Sequence, residues 1–431
     1  MAGEGSPTQL PPAKRRNKSS SAATATTTIH SLTDDLLLQI FLRLPSLATL
    51  VRAALTCRRY RRAVASSRDF RRRFRELHPA PFLGFFFGPP TTVQDHMLPA
   101  FPSFFPARRH DRDLAAAVRG GDFFLTSIQE HPDKAHSWEI YDCRGGYVLL
   151  CNGDPSSEEP LAVVNPLARR SQRFFDDGPK DTFEDCRGTP VLRSERLLCS
   201  DEDPTSFRVV ALTHDESRVR ASVFSSHTGE WKIHPWFDVP GRPRRSKGWL
   251  MNNNMQSNGF LYWLYTNHKY MVTLNTVTMG FSVEELPQFL KNQRCSFDVG
   301  ETSSGARCIV YTVDFTVGVM LRRTDSEGVE KWMLDRATPL DTQLDGVLRK
   351  LKGNYDELLV VAVRDGFAYL ASSKKVYDPL NPSWFLSLCL ETMKLENLFQ
   401  KAYNGCGHPY IMAWPPCLVG NHGKFALEGS T

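Results

Sequence analysis

Leu32-Thr33-Asp34-Asp35-Leu36-Leu37-Leu38-Gln39-Ile40-Phe41-Leu42-Arg43-Leu44-Pro45 is the stretch that decides how this chain is organised. Leu36, Leu37, Ile40, Phe41 and Leu44 recur at helical spacing. Leu38 and Leu42 make the opposite side apolar too. Only Gln39 and Arg43 interrupt it before Pro45 stops the helix. A helix that is apolar all round must be covered on every side. Its flanks are a Ser/Thr/Ala-rich tail and an arginine-rich segment, neither suited to cover it. A second molecule is therefore expected to supply part of the cover, and binding is the first functional inference.

Working outward, Ser31 or Thr33 is placed to cap this helix, with Asp34 and Asp35 in its first turn. Beyond Pro45-Ser46 a second helix is expected, with Leu47, Leu50, Val51, Ala54, Leu55 and Val64 apolar. A short third helix after Ser66-Ser67 repeats Phe70, Phe74 and Leu77 before His78-Pro79-Ala80-Pro81 ends the helical region. Residues 29–78 thus read as a three-helix unit. Residues 1–28 read as a disordered basic tail. Its run Lys14-Arg15-Arg16-Asn17-Lys18 fits a nuclear import signal and a solvated tail equally well.

After Pro81 the pattern changes to short apolar runs separated by Gly, Asn, Asp and Pro, the mark of an all-β domain over 79–431. A strand, a polar turn and a bulky aromatic recur. Val219–Phe224 leads to Trp231, Tyr270–Leu274 to Phe281, and Val317–Leu321 to Trp332; the aromatics stand 50 and 51 positions apart. Phe174 and Leu398 extend the ladder less regularly, giving five units. A sixth is expected in residues 82–131, built on Phe82–Phe87 and Phe123-Phe124-Leu125. Such a period points to an irregular propeller of about six blades. A β-sandwich with chance spacing is the competing architecture. The fold class expected is α+β and multidomain, a small helical unit followed by an all-β propeller-like domain.

The helical unit resembles an F-box. Leu32–Pro45 resembles its first half; Leu55-Thr56-Cys57-Arg58-Arg59-Tyr60-Arg61, with Ser66-Ser67 and Phe70, resembles its second. The run through Phe74–Pro81 is similar to F-box proteins abundant in plants, particularly grasses, in which a propeller-like domain follows. The chain departs from the pattern at Thr33, where Pro is usual, at Tyr60 for Trp, at Thr56 for Val, and in one extra residue between Pro45 and Cys57. The resemblance implies a substrate-recognition subunit of a Skp–cullin–F-box ubiquitin ligase. The F-box would dock an acidic Skp-type adaptor, and through it cullin and RING subunits. The β domain would present an unknown protein substrate for ubiquitination and proteasomal degradation. By position Leu32, Leu36, Leu37, Ile40, Leu44, Pro45, Leu50, Leu55, Cys57 and Tyr60 match the F-box pattern. Some must face the adaptor and some the module's own core.

Composition limits the alternatives. Net charge is +6, yet residues 51–75 hold ten Arg against Asp69, so the basicity belongs to one short module and the rest of the chain is acidic. That cluster suits an acidic protein partner. Nucleic acid suits it less, because few aromatics interleave. A non-ligase scaffold, whose propeller or arginine-rich helix takes nucleic acid or another ligand, is the alternative reading. No membrane-spanning run or signal-peptide core is evident, and ten Cys lie scattered without a CxxC pair, so an intracellular protein of the nucleus or cytoplasm is expected. No GxSxG, HExxH, Walker or dinucleotide motif occurs. Cys406-Gly407-His408 with Cys417 lacks zinc-ribbon spacing. No catalytic residue, metal or cofactor is expected. For a substrate surface, the polar insertion after Trp236 is the best candidate, through Arg244, Arg245, Lys247 and Trp249.

Overall fold

The computed structural model describes residues 32–88, 101–108, 110–129, 138–152, 161–174, 183–188, 192–200, 203–240, 249–251, 255–292, 295–348, 357–373, 382–401 and 407–419. The basic tail expected at 1–28 lies outside them.

Four short helices open the described chain: α1 (Asp34–Leu42), α2 (Leu47–Leu55), α3 (Arg58–Ser66) and α4 (Arg68–Leu77). Side-chain oxygens of Thr33, Ser46 and Ser67 accept the N–H groups of Leu36, Thr49 and Phe70, satisfying donors that the first turns of α1, α2 and α4 leave open. The expected second helix is two. Thr56 Oγ1 donates to the Ala53 carbonyl at 2.7 Å and closes the last turn of α2, and Cys57 then takes an extended backbone that starts α3. The four helices bury Leu37, Phe41, Leu50, Tyr60, Val64, Phe70 and Phe74 among themselves and against the β domain, with Phe41 edge-on to Tyr60 at 5.6 Å.

The β domain is a six-bladed propeller. Five blades are antiparallel meanders: β3 (Trp138–Arg144) to β6 (Arg170–Phe174); β7 (Leu192–Cys199) to β10 (Glu230–Ile233), with β11 (Phe237–Asp238) added; β12 (Met255–Ser257) to β15 (Phe281–Glu285); β16 (Ser296–Glu301) to β19 (Glu330–Pro339); and β20 (Glu357–Arg364) to β23 (Leu395–Lys401). The sixth joins distant parts of the chain. β24 (Gly407–Ile411) pairs with β1 (Phe82–Phe87), which pairs with β2 (Ser103–Pro106). Blades meet through β3, β7, β12, β16, β20 and β24, which are therefore innermost. The aromatic ladder marks the opposite edge. Phe174, Trp231, Phe281 and Trp332 all stand on outermost strands, as does Leu398. The period was legible because each outer strand offers one large side chain to the gap between blades; Phe174 stacks on Phe224 of the next blade at 4.4 Å.

The expected sixth unit is half right. Phe82–Phe87 is a strand, but Phe123-Phe124-Leu125 is a turn. Leu125 adopts a left-handed conformation, and the Asp122 carboxylate accepts the N–H groups of Thr126 and Ser127. Phe123 still packs inward, 4.3 Å from Phe104 and 5.2 Å from Tyr410. The outer position of this three-stranded blade is followed instead by a helix, α5 (Arg112–Gly120). Gly84 is obligatory in β1, since a Cβ there would lie 2.2 Å from the Phe105 carbonyl oxygen.

The helical module and the propeller share one apolar core. Phe74 lies 5.9 Å from Trp414, Arg75 sits over the same indole at 5.1 Å, and Arg75 donates to the Met412 carbonyl at 3.0 Å. Helices α2 and α3 pack on the turn Pro416–Leu418 that follows β24.

Candidate functional site

The structure sorts the residues that match the F-box pattern. Leu37, Leu50 and Tyr60 are buried, and Leu32, Leu44 and Cys57 are half-buried. Leu36 and Ile40, one turn apart on α1, are 53% and 43% exposed, Leu55 is 50% exposed, and Pro45 is open. The expectation that the chain covers α1 only in part holds in this form: Leu37, Phe41 and Leu42 are buried by the chain itself. What remains open on α1 is the Leu36/Ile40 stripe, and Leu55 at the end of α2 is exposed as well.

The arginine cluster is also less free than its composition implies. Arg59 pairs with Asp34 at 2.8 Å and donates to the Leu32 carbonyl, tying the entry of α1 to α3. Buried Arg71 donates to the Ala65 carbonyl at 2.7 Å, Arg75 is held at Met412, and Arg52 pairs with Asp113. Arg58, Arg61, Arg62, Arg68 and Arg73 are exposed on α3 and α4 and leave the surface of the module basic.

Inner strands all run the same way. The C-terminal ends of β3, β7, β12, β16, β20 and β24 converge: Arg144 donates to the Gln256 carbonyl, Cys199 to the Arg144 carbonyl, Asn258 and Asp365 N–H groups to Glu301, and the Tyr410 hydroxyl to the Gly146 carbonyl. The helical module sits at this end, through Met412–Leu418. The outermost strands finish at the other end, where β11 pairs with the start of β9. Arg244, Arg245 and Lys247 lie outside the described residues, but the flanking chain belongs to that far face.

Trp249 is not a surface residue. It is fully buried, donates from Nε1 to the Asp215 carbonyl at 2.8 Å, and packs on His214 and Tyr265. An indole with its one polar atom satisfied gains most by burial. The half-exposed tryptophan on this face is Trp236, flanked by the guanidinium groups of Arg218 at 4.7 Å and Arg220 at 4.5 Å. Asp215 anchors the group, accepting from Arg218 at 2.7 and 2.9 Å and from the N–H groups of Arg187, Ser217 and Arg218. Burial raises its carboxyl, and these hydrogen bonds more than offset that, leaving it below its ordinary range.

The propeller axis holds a second charged cluster, unseen in the sequence because its members come from different blades. Asp142 accepts the N–H of Cys143 and, across the blade gap, that of Leu197 at 2.9 Å; Asp298 repeats this with Val299 and Val363 at 2.9 Å. Each carboxylate thus ties one inner strand to the next. Arg364 and His408 join them around a cavity of about 190 Å³. Burial pushes Asp298 up to about 6 and His408 down to about 4. Their linkage to folding has opposite signs. The unfolded chain binds the His408 proton more tightly, so that residue removes stability as pH falls from about 6.5 to 4. Native Asp298 binds its proton more tightly, so it adds stability over about the same window. His408→Gln is therefore expected to gain stability relative to the parent on acidification across this range, by roughly 3 kcal/mol at most, read from urea midpoints at stepped pH. An unchanged difference between the two proteins at pH 7 and pH 4.5 would contradict the assignment.

Among the described residues no group of His, Cys, Asp and Glu is arranged to hold a metal ion, and no helix is long and apolar enough to cross a membrane. Residues 139–418 match the family model described as F-box protein AT5G49610-like, beta-propeller, and residues 30–76 match the F-box-like model. The chain belongs to this F-box propeller family. No curated protein matches the chain. Solved structures similar to it include a protein from Lactobacillus plantarum (9% identity, TM-score 0.37, covering 75% of this chain and 83% of that one). They also include the SapL1 lectin in complex with alpha methyl fucoside (11%, 0.32, 65% and 81%) and YCF48 from Cyanidioschyzon merolae (12%, 0.35, 74% and 85%). In this F-box propeller protein, then, the open stripe of α1 lies on the F-box, and the Trp236 group lies on the propeller face turned away from it.

Proposed function

We propose that this protein is the substrate-recognition subunit of a Skp–cullin–F-box ubiquitin ligase. The observation that carries this is the open Leu36/Ile40 stripe of α1, with Leu55 of α2 also exposed, in a helical module otherwise packed on itself and on the propeller. Each such side chain moved from water into an interface contributes roughly 1.5–3 kcal/mol, so three of them suffice to anchor a partner. The exposed arginines of the same module favour an acidic adaptor. In this reading the chain does no chemistry. It joins adaptor, cullin and RING subunits at one end and offers a protein substrate from the far face, where Trp236 with Arg218 and Arg220 supplies aromatic and cationic contacts. The resemblance to the grass-type proteins supports a plant protein that works in the nucleus or cytoplasm and leads its substrate to the proteasome.

Reconstitution tests this. The full chain, co-expressed with a Skp-type adaptor, cullin and RING subunit, is expected to elute as one stoichiometric complex on size exclusion. A folded chain that elutes apart from the adaptor would overturn the reading in favour of a scaffold outside the ligase.

A further inference from the structure

Strand β19 differs from the other outermost strands. It is ten residues long, where β6, β10, β15 and β23 have five, four, five and seven. Among the described residues no strand pairs with its outer edge. Met333 and Leu334 at its middle are 44% and 56% exposed, although large apolar side chains gain by leaving water. Trp332 beside them is half-buried, with the Arg322 guanidinium over its indole at 5.3 Å. Charges close both ends of this apolar run. Lys331 pairs with Asp325 at 2.6 Å. Asp335 is the extra residue of a bulge and pairs with Arg323 and Arg336. A lysine and a bulge on an open edge turn unrelated strands away.

The run Lys331-Trp332-Met333-Leu334-Asp335 is complementary to itself read backwards. Set antiparallel to a second copy with Met333 opposite Met333, Trp332 meets Leu334, and Lys331 meets Asp335 at each end. A slip of one residue puts Lys331 opposite Arg336, or Glu330 opposite Asp335. A slip of two puts Asp335 opposite Met333 or Val329. In parallel register each charge meets its like. The Met333-centred register alone brings apolar side chains together and opposite charges together. We propose that β19 is the edge of a homodimer, in which two copies of this chain join by antiparallel pairing of residues 331–335 about a twofold axis at Met333. The ion pairs within the chain do not oppose this. Lys331, Arg323 and Arg336 are exposed, exposed pairs hold weakly, and Lys331 can exchange Asp325 for Asp335 of the second copy. Five paired residues span about 17 Å of edge, short of an obligate interface, so the dimer forms reversibly. No residue of β16 to β19 belongs to the core shared by the helices and the propeller, so the edge is separate from the adaptor stripe and stands whether or not the chain joins a ligase.

Sedimentation velocity of the full chain, over a roughly hundredfold dilution series, is expected to show dimer at the concentrated end and monomer at the dilute end. Met333→Lys sets two cations against each other on the axis. It should leave monomer throughout, with circular dichroism unchanged because the side chain is open. Val277→Lys is the control. Val277 is 85% exposed on the turn between β14 and β15, away from this edge, and its replacement should leave the dimer as it is. Met333→Cys should give a disulfide-linked dimer under mild oxidation beyond any that the parent chain forms, since Cβ atoms facing at about 4.5–5.5 Å lie near disulfide reach. Monomer at every concentration, a dimer that survives Met333→Lys, one that Val277→Lys also abolishes, or no added cross-link in Met333→Cys would overturn the proposal.

Discussion

A chain carrying Leu36→Asp and Ile40→Asp will fold normally and fail to co-purify with a Skp-type adaptor. Both side chains are open in the folded protein, so replacing them removes little internal packing. Position 36 lies in the first turns of α1, where a carboxylate is favoured by the positive end of the helix. The loss falls on the interface. Two apolar contacts of roughly 1.5–3 kcal/mol each disappear, and two carboxylates would be buried there without partners. A total beyond about 4 kcal/mol weakens binding by roughly a thousandfold or more, enough to clear a pull-down. Leu37→Asp is the contrasting variant. Leu37 is 1% exposed, so its replacement should unfold the module, which circular dichroism and proteolysis would show. Adaptor binding retained by the double variant would mean that the stripe is not the docking surface.

Phe85→Ala will cost roughly 3–5 kcal/mol of stability, a large share of the 5–15 kcal/mol typical of a folded domain. Phe85 is fully buried at the middle of β1, between β24 and β2. Its ring lies 5.3–5.9 Å from those of Phe82, Phe87, Tyr369, Phe385 and Phe399. Truncation therefore leaves a cavity in the blade that closes the ring, where two remote parts of the chain are joined. Urea unfolding should show a lower midpoint. Phe124→Ala is the control, because Phe124 is 83% exposed. Equal midpoints for the two variants would remove β1 from its role as the closing strap.

What was legible in the sequence is what neighbouring residues decide. The apolar spacing of α1, the Ser and Thr caps and the aromatic recurrence on outer strands are local signals, and they led to the F-box and to a propeller of about six blades. The break at Cys57 was not legible, because the apolar pattern runs through it and only a backbone change separates α2 from α3. Pairing Phe86 with His408 has no local signature at all, so the sixth blade was sought next door in Phe123–Leu125. Trp249 was misplaced for a related reason. The residues before it are basic and polar, and nothing in their composition says that this indole turns inward to meet Asp215. The axial pair of Asp142 and Asp298 likewise has no local signature, because the two carboxylates come from different blades of the six that surround the axis.

The joint core of helices and propeller bears on how the protein is made. The F-box is synthesised early, yet its packing is completed by Trp414 and Leu418, among the last described residues, and the ring closes only when β24 arrives. A ribosome that stops short would release a helical module with an unfinished inner face and an unclosed barrel of blades. The fold thereby couples the maturation of the N-terminal helices to the arrival of a segment more than three hundred residues further along the chain.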